Sequence, residues 1–230
     1  MPRRPRLVAP EVPMHIIQRG NNRNNCFFSN SDYLTYLGML KEAADSAHCP
    51  IHAYALMTNH IHLLVTPLHE NSAPKLMKSV GERYVQFINR RYGRAGTLWQ
   101  GRYRSCLVQN EHYFMVCQRY IEMNPVRASM VSNPGLYAWS SHRTYAYGDI
   151  NPLLTPHALI SDLGLTPTAR QLAYRGLFDD IIPAKTLNQL RDATNNNFSF
   201  GDDAFAERMA KALDRQVIRS KVRDAADRSA

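Results

Sequence analysis

The chain has 230 residues, 44% of them hydrophobic, and a net charge of +9. That is enough apolar material for one sizeable core, which argues against global disorder, and no apolar run approaches the ~20 residues of a membrane span. The opening MPRRPRLVAPEVP lacks a signal-peptide centre, and Cys26, Cys49, Cys106 and Cys117 form no CxxC pair; a cytoplasmic protein without a zinc ribbon or disulfide framework is expected, with no membrane partner.

The charge is unevenly placed. Residues 1–150 carry 17 Lys and Arg against 9 Asp and Glu, whereas residues 151–230 carry 11 against 10. A basic first part and a nearly neutral second part suit a polyanion-binding domain at 1–150 followed by a helical region at 151–230.

The chain opens on a basic, proline-rich arm with Arg3, Arg4 and Arg6. Residues 14–19 (MHIIQR) read as a first strand that carries Arg19 and is ended by Gly20. A polar turn follows, then a short extended piece at Cys26-Phe27-Phe28. Ser29 to Asp32 offers helix N-caps, and apolar residues at helical spacing from Tyr33 to Ala47 predict a helix over 31–47. Residues 51–57 read as a strand. So does His60-Ile61-His62-Leu63-Leu64-Val65, joined to it either by a turn near Thr58-Asn59 or by a bend in one long strand. Pro74 and Gly93 bracket a second helix, striped by Leu76, Met77, Val80, Tyr84, Phe87 and Ile88.

Residues 90–104 interleave Arg90, Arg91, Arg94, Arg102 and Arg104 with Tyr92, Trp99 and Tyr103, without an acid among them. Arginines neutralise phosphates and aromatic faces stack on bases, so this stretch is expected to grip single-stranded nucleic acid, with Trp99 or Tyr103 stacking on a base. A strand over 103–109 follows. A helix then starts near Asn110, with Tyr113, Cys117, Tyr120 and Asn124 on one stripe and Pro125 ending or breaking it. A short helix and loops are expected over 126–150. Helical patterning over 153–182 is broken by Pro156 and Pro167, Thr194 to Asn197 reads as a loop, and Phe205 to Leu213 as a last helix before a frayed, charged tail.

In a strand, residues two apart share a face, so His60 and His62 lie side by side, with Ile61, Leu63 and Val65 opposite. Two imidazoles make half of a divalent metal site, and a metal held there can polarise a phosphate. A tyrosine hydroxyl can attack phosphorus covalently, and an amide oxygen one helical turn on could complete the coordination. His60 and His62 should therefore face the helix bearing Tyr120, with Ile61, Leu63 and Val65 facing the helix at 74–92.

These residues resemble a known family. His60-Ile61-His62 is similar to the paired-histidine motif of the HUH endonucleases, and QRGNNRN, YALMTNHIHLLVTP, LWQGRYRS and RYIEMNPVRASMV resemble REP-associated tyrosine transposases, relatives of the single-tyrosine transposases of small insertion sequences. The resemblance covers residues 3–148. It implies an α+β, ferredoxin-like antiparallel sheet with packed helices, Mg²⁺ or Mn²⁺ bound by His60, His62 and Asn124, and Tyr120 as nucleophile. It also implies single-stranded DNA near palindromic hairpins as substrate and a 5′-phosphotyrosine intermediate; a homodimer is a separate expectation, not part of what the resemblance implies. Ser129 departs from the pattern, which has Gly after Val-Arg-Ala; only a local backbone effect is expected.

Other readings stay open at this point: a replication-initiator or relaxase nickase with the same chemistry, a non-catalytic binder of DNA or RNA hairpins, and a mononuclear metallohydrolase using Glu70 or Glu122. Tyr113 is the rival nucleophile, and Asn124 could serve only as a helix C-cap.

Overall fold

The structure, a computed structural model, describes residues 6–217. Arg3, Arg4 and the charged C-terminal tail lie outside the described residues.

Five strands form one open sheet: β1 (Met14–Arg19), β2 (Ile51–Met57), β3 (His60–Val65), β4 (Arg104–Val108) and β5 (Ser199–Phe200), in the order β2-β3-β1-β4-β5. The first four pair antiparallel and β5 joins β4 in parallel. Helix α1 (Asn30–Ser46) connects β1 to β2, and α2 (Ser72–Arg91) connects β3 to β4. Two interlocked crossovers around an antiparallel sheet are the ferredoxin-like arrangement, as the resemblance implied; the short parallel edge makes the whole sheet mixed. Thr58 and Asn59 form the turn between β2 and β3, which settles the alternative of one bent strand.

The alternation along β3 decides what lies on each side of the sheet. Ile61, Leu63 and Val65 are buried with Leu76, Met77 and Val80 of α2 and Leu40 of α1 in the larger core. Each such side chain contributes roughly 1.5–3 kcal/mol on burial. Ser29 precedes α1, and the Asp32 carboxylate accepts from the backbone N–H groups of Phe28 and Ser29, which satisfies donors the helix leaves open. Phe27 enters this core stacked on Tyr33, with ring centroids 4.2 Å apart. Cys26 to Phe28 are therefore a packed loop, not the extended piece expected: the N–H groups of Cys26 and Phe27 donate to the Thr58 carbonyl at the β-turn, and no strand among the described residues pairs with them.

The other face carries α3 (His112–Glu122), which runs almost without a break into α4 (Asn124–Arg127). Alanines at Ala53 and Ala55 of β2 let α3 lie close over the strands, where Phe114, Cys117, Tyr120 and Ile121 fill the second core with Leu64 and Cys106. Ser129, just past α4, sits at φ +54°. That left-handed conformation suits glycine and costs a side-chain-bearing residue on the order of 1 kcal/mol, so the departure at this position is a local backbone effect.

Residues beyond 150 are built into the same body. After α5 (His142–Tyr147) come α6 (Ala158–Ser161), α7 (Pro167–Gly176), α8 (Ala184–Asn196) and α9 (Asp203–Leu213). Pro167 occupies the first turn of α7 and starts a helix where the sequence reading had it break one. Thr194, Asn195 and Asn196 belong to α8, correcting the loop expected there: Ala193 and Thr194 are buried against the sheet, and that burial outweighs the weak helix preference of the polar run. Helix α8 packs on β4 and β1, beside α3.

Candidate active site

The site lies between the sheet and the α3–α8 layer. Register places Arg19 opposite His60, Ile17 opposite His62 and His15 opposite Leu64, all on the face that meets α3. His60 and His62 sit side by side there, ring centroids 5.0 Å apart. The Tyr120 ring meets His62 edge-on at 5.8 Å and His15 edge-on at 5.7 Å. The strand face, the helix bearing Tyr120 and the α2 side thus lie where the alternation of β3 predicts.

Each motif histidine has a dedicated partner on Nδ1. For His60 it is Asn59 Oδ1 at 2.6 Å, and the Asn59 amide nitrogen donates to the Arg23 carbonyl at 3.0 Å, which orients the amide. An amide oxygen only accepts, so His60 carries its proton on Nδ1 and has a bare Nε2. The Arg23 carbonyl is positioned by the turn after Gly20, whose own N–H donates to Asn59 O at 2.8 Å. A Cβ at residue 20 would stand 2.2 Å from the Asn24 carbonyl oxygen, so only glycine lets this turn close. For His62 the Nδ1 partner is His15 Nε2 at 2.9 Å. Burial lowers the pKa of His60 to about 4 and of His15 to about 3, and holds His62 well below the usual histidine value, so all three rings are neutral at physiological pH.

Tyr120 is 5% exposed. The Arg127 guanidinium lies 4.3 Å from its ring centroid and donates to its carbonyl; Arg191 of α8 approaches the same ring at 6.0 Å. Burial lowers the Arg127 pKa to about 10, which leaves it charged at neutral pH. Asn124 donates through Nδ2 to the carbonyls of Tyr120 and Ile121, at 3.0 and 3.2 Å, closing the end of α3 and leaving Oδ1 for another partner. Two residues beyond Tyr120, the Glu122 carboxylate accepts from Ser141 Oγ (2.5 Å), His142 Nδ1 (3.0 Å) and Tyr174 OH (2.7 Å), which ties α3 to α5 and α7. Glu122 is thereby committed elsewhere, and among the described residues no three His, Cys, Asp or Glu side chains could together hold a metal. Tyr113 packs against Phe200 and His112, away from the histidine pair.

The basic segment divides. Arg102 and Arg104 line a groove of about 400 Å³ with Arg6, Gln100 and Asn195, and with Arg19 and Ile17 they line a second, smaller cavity that shares Gln100 and Asn195. Arg90, Arg91 and Arg94 stand instead at the end of α2, Arg91 3.5 Å from Asp32 and Arg94 5.7 Å from the Phe28 ring centroid. Trp99 and Tyr103 are 5% and 8% exposed, correcting the expectation that they stack on a base. Trp99 packs with Tyr36 and Tyr84 in the larger core, and the Tyr103 ring is covered by the Arg6 guanidinium at 3.6 Å.

The profile of the family described as "Transposase IS200 like" matches residues 9–124, just over half of the 230-residue chain and the part that holds His60, His62, Tyr120 and Asn124. This chain belongs to the IS200-like transposases. A solved REP-associated tyrosine transposase bound to a REP hairpin is 16% identical, covering 68% of this chain and 93% of its own at a TM-score of 0.55, a likeness of fold. A candidate transposase from Deinococcus radiodurans is 21% identical over 52% of this chain and 95% of its own, with a TM-score of 0.36. No curated protein sequence matches the chain. No helix among the described residues of this IS200-like transposase is long and apolar enough to cross a membrane.

Four residues of the candidate site were not singled out in the sequence: His15, Arg127, Arg191 and Thr194. Arg127 stands inside the Asn-Pro-Val-Arg-Ala stretch, one helical turn past Asn124, and that spacing was the available signal. The other three come into the site only through strand register and the packing of α8.

Proposed function

We propose that this protein cleaves and rejoins single-stranded DNA near palindromic hairpins, through a 5′-phosphotyrosine link at Tyr120 and with Mg²⁺ or Mn²⁺ held by His60, His62 and Asn124. The observation that carries the reading is the placement of the Tyr120 ring edge-on against His62, beneath the Arg127 guanidinium. The donor set fits a divalent cation: two neutral imidazoles with their Nδ1 atoms already engaged, plus a free amide oxygen, leave coordination positions for water and a phosphate oxygen. When bound, the cation would polarise the scissile phosphate.

In the cleavage step the Tyr120 oxygen forms a bond to phosphorus as the bond to the 3′ oxygen breaks. The phenolic proton passes to solvent, and the departing 3′ oxygen takes up a proton to become the free 3′-OH. Rejoining reverses both transfers. Arg127 and Arg191 supply positive charge beside the phosphate, where negative charge grows in the transition state. The groove lined by Arg19, Arg102 and Arg104 suits the backbone leading away from the site.

Incubation with a hairpin-bearing single strand and Mn²⁺ is expected to yield a covalent protein–DNA adduct that survives denaturation and is lost in chelator. Full activity in chelator would sink the metal reading. The 5% exposure of Tyr120 favours one second reading, a hairpin binder that does not cut; tight binding with no adduct under any divalent cation would establish it.

Binding itself is expected to weaken with salt, at a log–log slope of about −0.7 per phosphate contact. Arg102→Gln should make that slope shallower by one contact and weaken all sequences alike. A slope unchanged by replacing Arg19, Arg102 and Arg104 together would move the DNA path elsewhere.

A further inference from the structure

Besides Arg191, helix α8 brings a buried hydroxyl to the site. Thr194 Oγ1 lies 2.8 Å from the Leu190 carbonyl oxygen, 2.9 Å from His15 Nδ1 and 3.2 Å from Cys106 Sγ. A hydroxyl has one hydrogen and two lone pairs. The carbonyl can only accept, so it takes the threonine hydrogen, in the one-turn-back bond that a helical threonine commonly makes. The oxygen is left to accept from the Cys106 thiol, which burial keeps protonated, and from His15 Nδ1–H.

The rest of the chain of hydrogen bonds follows. A neutral His15 with its proton on Nδ1 has a bare Nε2, which must accept from His62 Nδ1–H across the 2.9 Å contact. His62 then has a bare Nε2. Asn59 leads to the same protonation pattern at His60 by a separate route.

We propose that Thr194 and His15 are positioning residues that fix the His62 imidazole with its proton on Nδ1 and present its Nε2 lone pair for ligation. The two imidazoles of His15 and His62 are near-parallel, 6° apart, and both are buried, so neither ring can turn without breaking this chain. His15 is thereby excluded as a third ligand, since its Nε2 is spent on His62. Helix α8, which lies outside the matched family region, has a role in readying the site. The presentation of Nε2 for ligation rests on the reading of His62 as a metal ligand; the protonation pattern does not.

The test uses the full chain with ¹⁵N-labelled histidine, in chelator, with ring nitrogens read by two-bond ¹H–¹⁵N correlation. His62 is expected to show a protonated Nδ1 and a bare Nε2. Thr194→Val removes the acceptor that holds the His15 proton, so the His62 pattern should shift toward protonated Nε2, and Thr194→Ser should restore it. In a Mn²⁺ titration Thr194→Val should weaken binding about 10–100-fold, the range seen when a ligand's outer partner is lost, with recovery in Thr194→Ser. A protonated His62 Nε2 in the unsubstituted protein would overturn the proposal, with no variant needed. So would Thr194→Val with unchanged ring signals and Mn²⁺ affinity. The expected ring signals without Mn²⁺ broadening at His60 and His62 would refute the metal reading and uphold the proton order.

Discussion

Tyr120→Phe is expected to eliminate the covalent DNA adduct while leaving hairpin affinity within about twofold. The substitution removes one oxygen. The ring remains packed against His15, His62 and Arg127. Loss of a nucleophile leaves only the rate supplied by binding and electrostatics, so cleavage should fall on the order of 10³- to 10⁶-fold. Tyr113→Phe is the control: its ring neighbours are Phe200 and His112, and cleavage should be unaffected. Adduct formation that survives in Tyr120→Phe and disappears in Tyr113→Phe would transfer the nucleophile to the start of α3. Parallel binding measurements separate lost chemistry from lost recognition, and a thermal melt confirms that both variants fold.

How far the site was legible in the sequence follows from what kind of geometry each residue depends on. His60 and His62 are placed by the two-residue period of a single strand, and Tyr120 and Asn124 by the period of a helix, both of which can be read locally. His15 depends on the offset at which β1 pairs with β3, and nothing in MHIIQR states that offset; slipping it by one residue would turn His15 to the opposite face. Thr194 is more remote still. It lies in a polar run that local preference reads as a loop, and it becomes helical and buried only because α8 docks on β4. The misreading of Trp99 and Tyr103 has a different cause. Arginine-aromatic interleaving records which residue types alternate, not which direction each ring takes, and here the rings turn inward while Arg102 and Arg104 remain outside. Ser129 shows the reverse case: one residue against a motif pointed to a backbone demand, and the positive φ is there.

The neutral buried histidines carry a second large effect, on stability against acid. His15 and His52 have pKa values lowered to about 3 and about 4, His62 is held well below the ordinary 6.5, and His60, less deeply buried, adds in the same direction. Desolvation is the main cause at each: the charged ring would lose its water. As pH falls through 6.5 the unfolded chain takes up these protons while the folded chain does not. The unfolded state then binds more protons, so the free energy of unfolding must fall with falling pH. Each such histidine contributes at most about 1.4 kcal/mol per pH unit, until the pH reaches its folded value. Three or four acting together would remove several kcal/mol between pH 6.5 and 4.5, a large share of the 5–15 kcal/mol typical of a domain. Urea unfolding in chelator at pH 7.5, 5.5 and 4.5 should show the midpoint dropping at each step. His52 isolates one contribution away from the site, since its ring bridges the Thr155 carbonyl and the Thr66 hydroxyl, 2.8 Å from each. In His52→Gln an amide keeps one donor and one acceptor but cannot take up the proton, so the dependence on pH should be shallower by about one proton. A midpoint that is flat or rises from pH 7.5 to 4.5 would mean that these rings take up protons in the folded protein as readily as in the unfolded chain, and that burial does not hold them neutral.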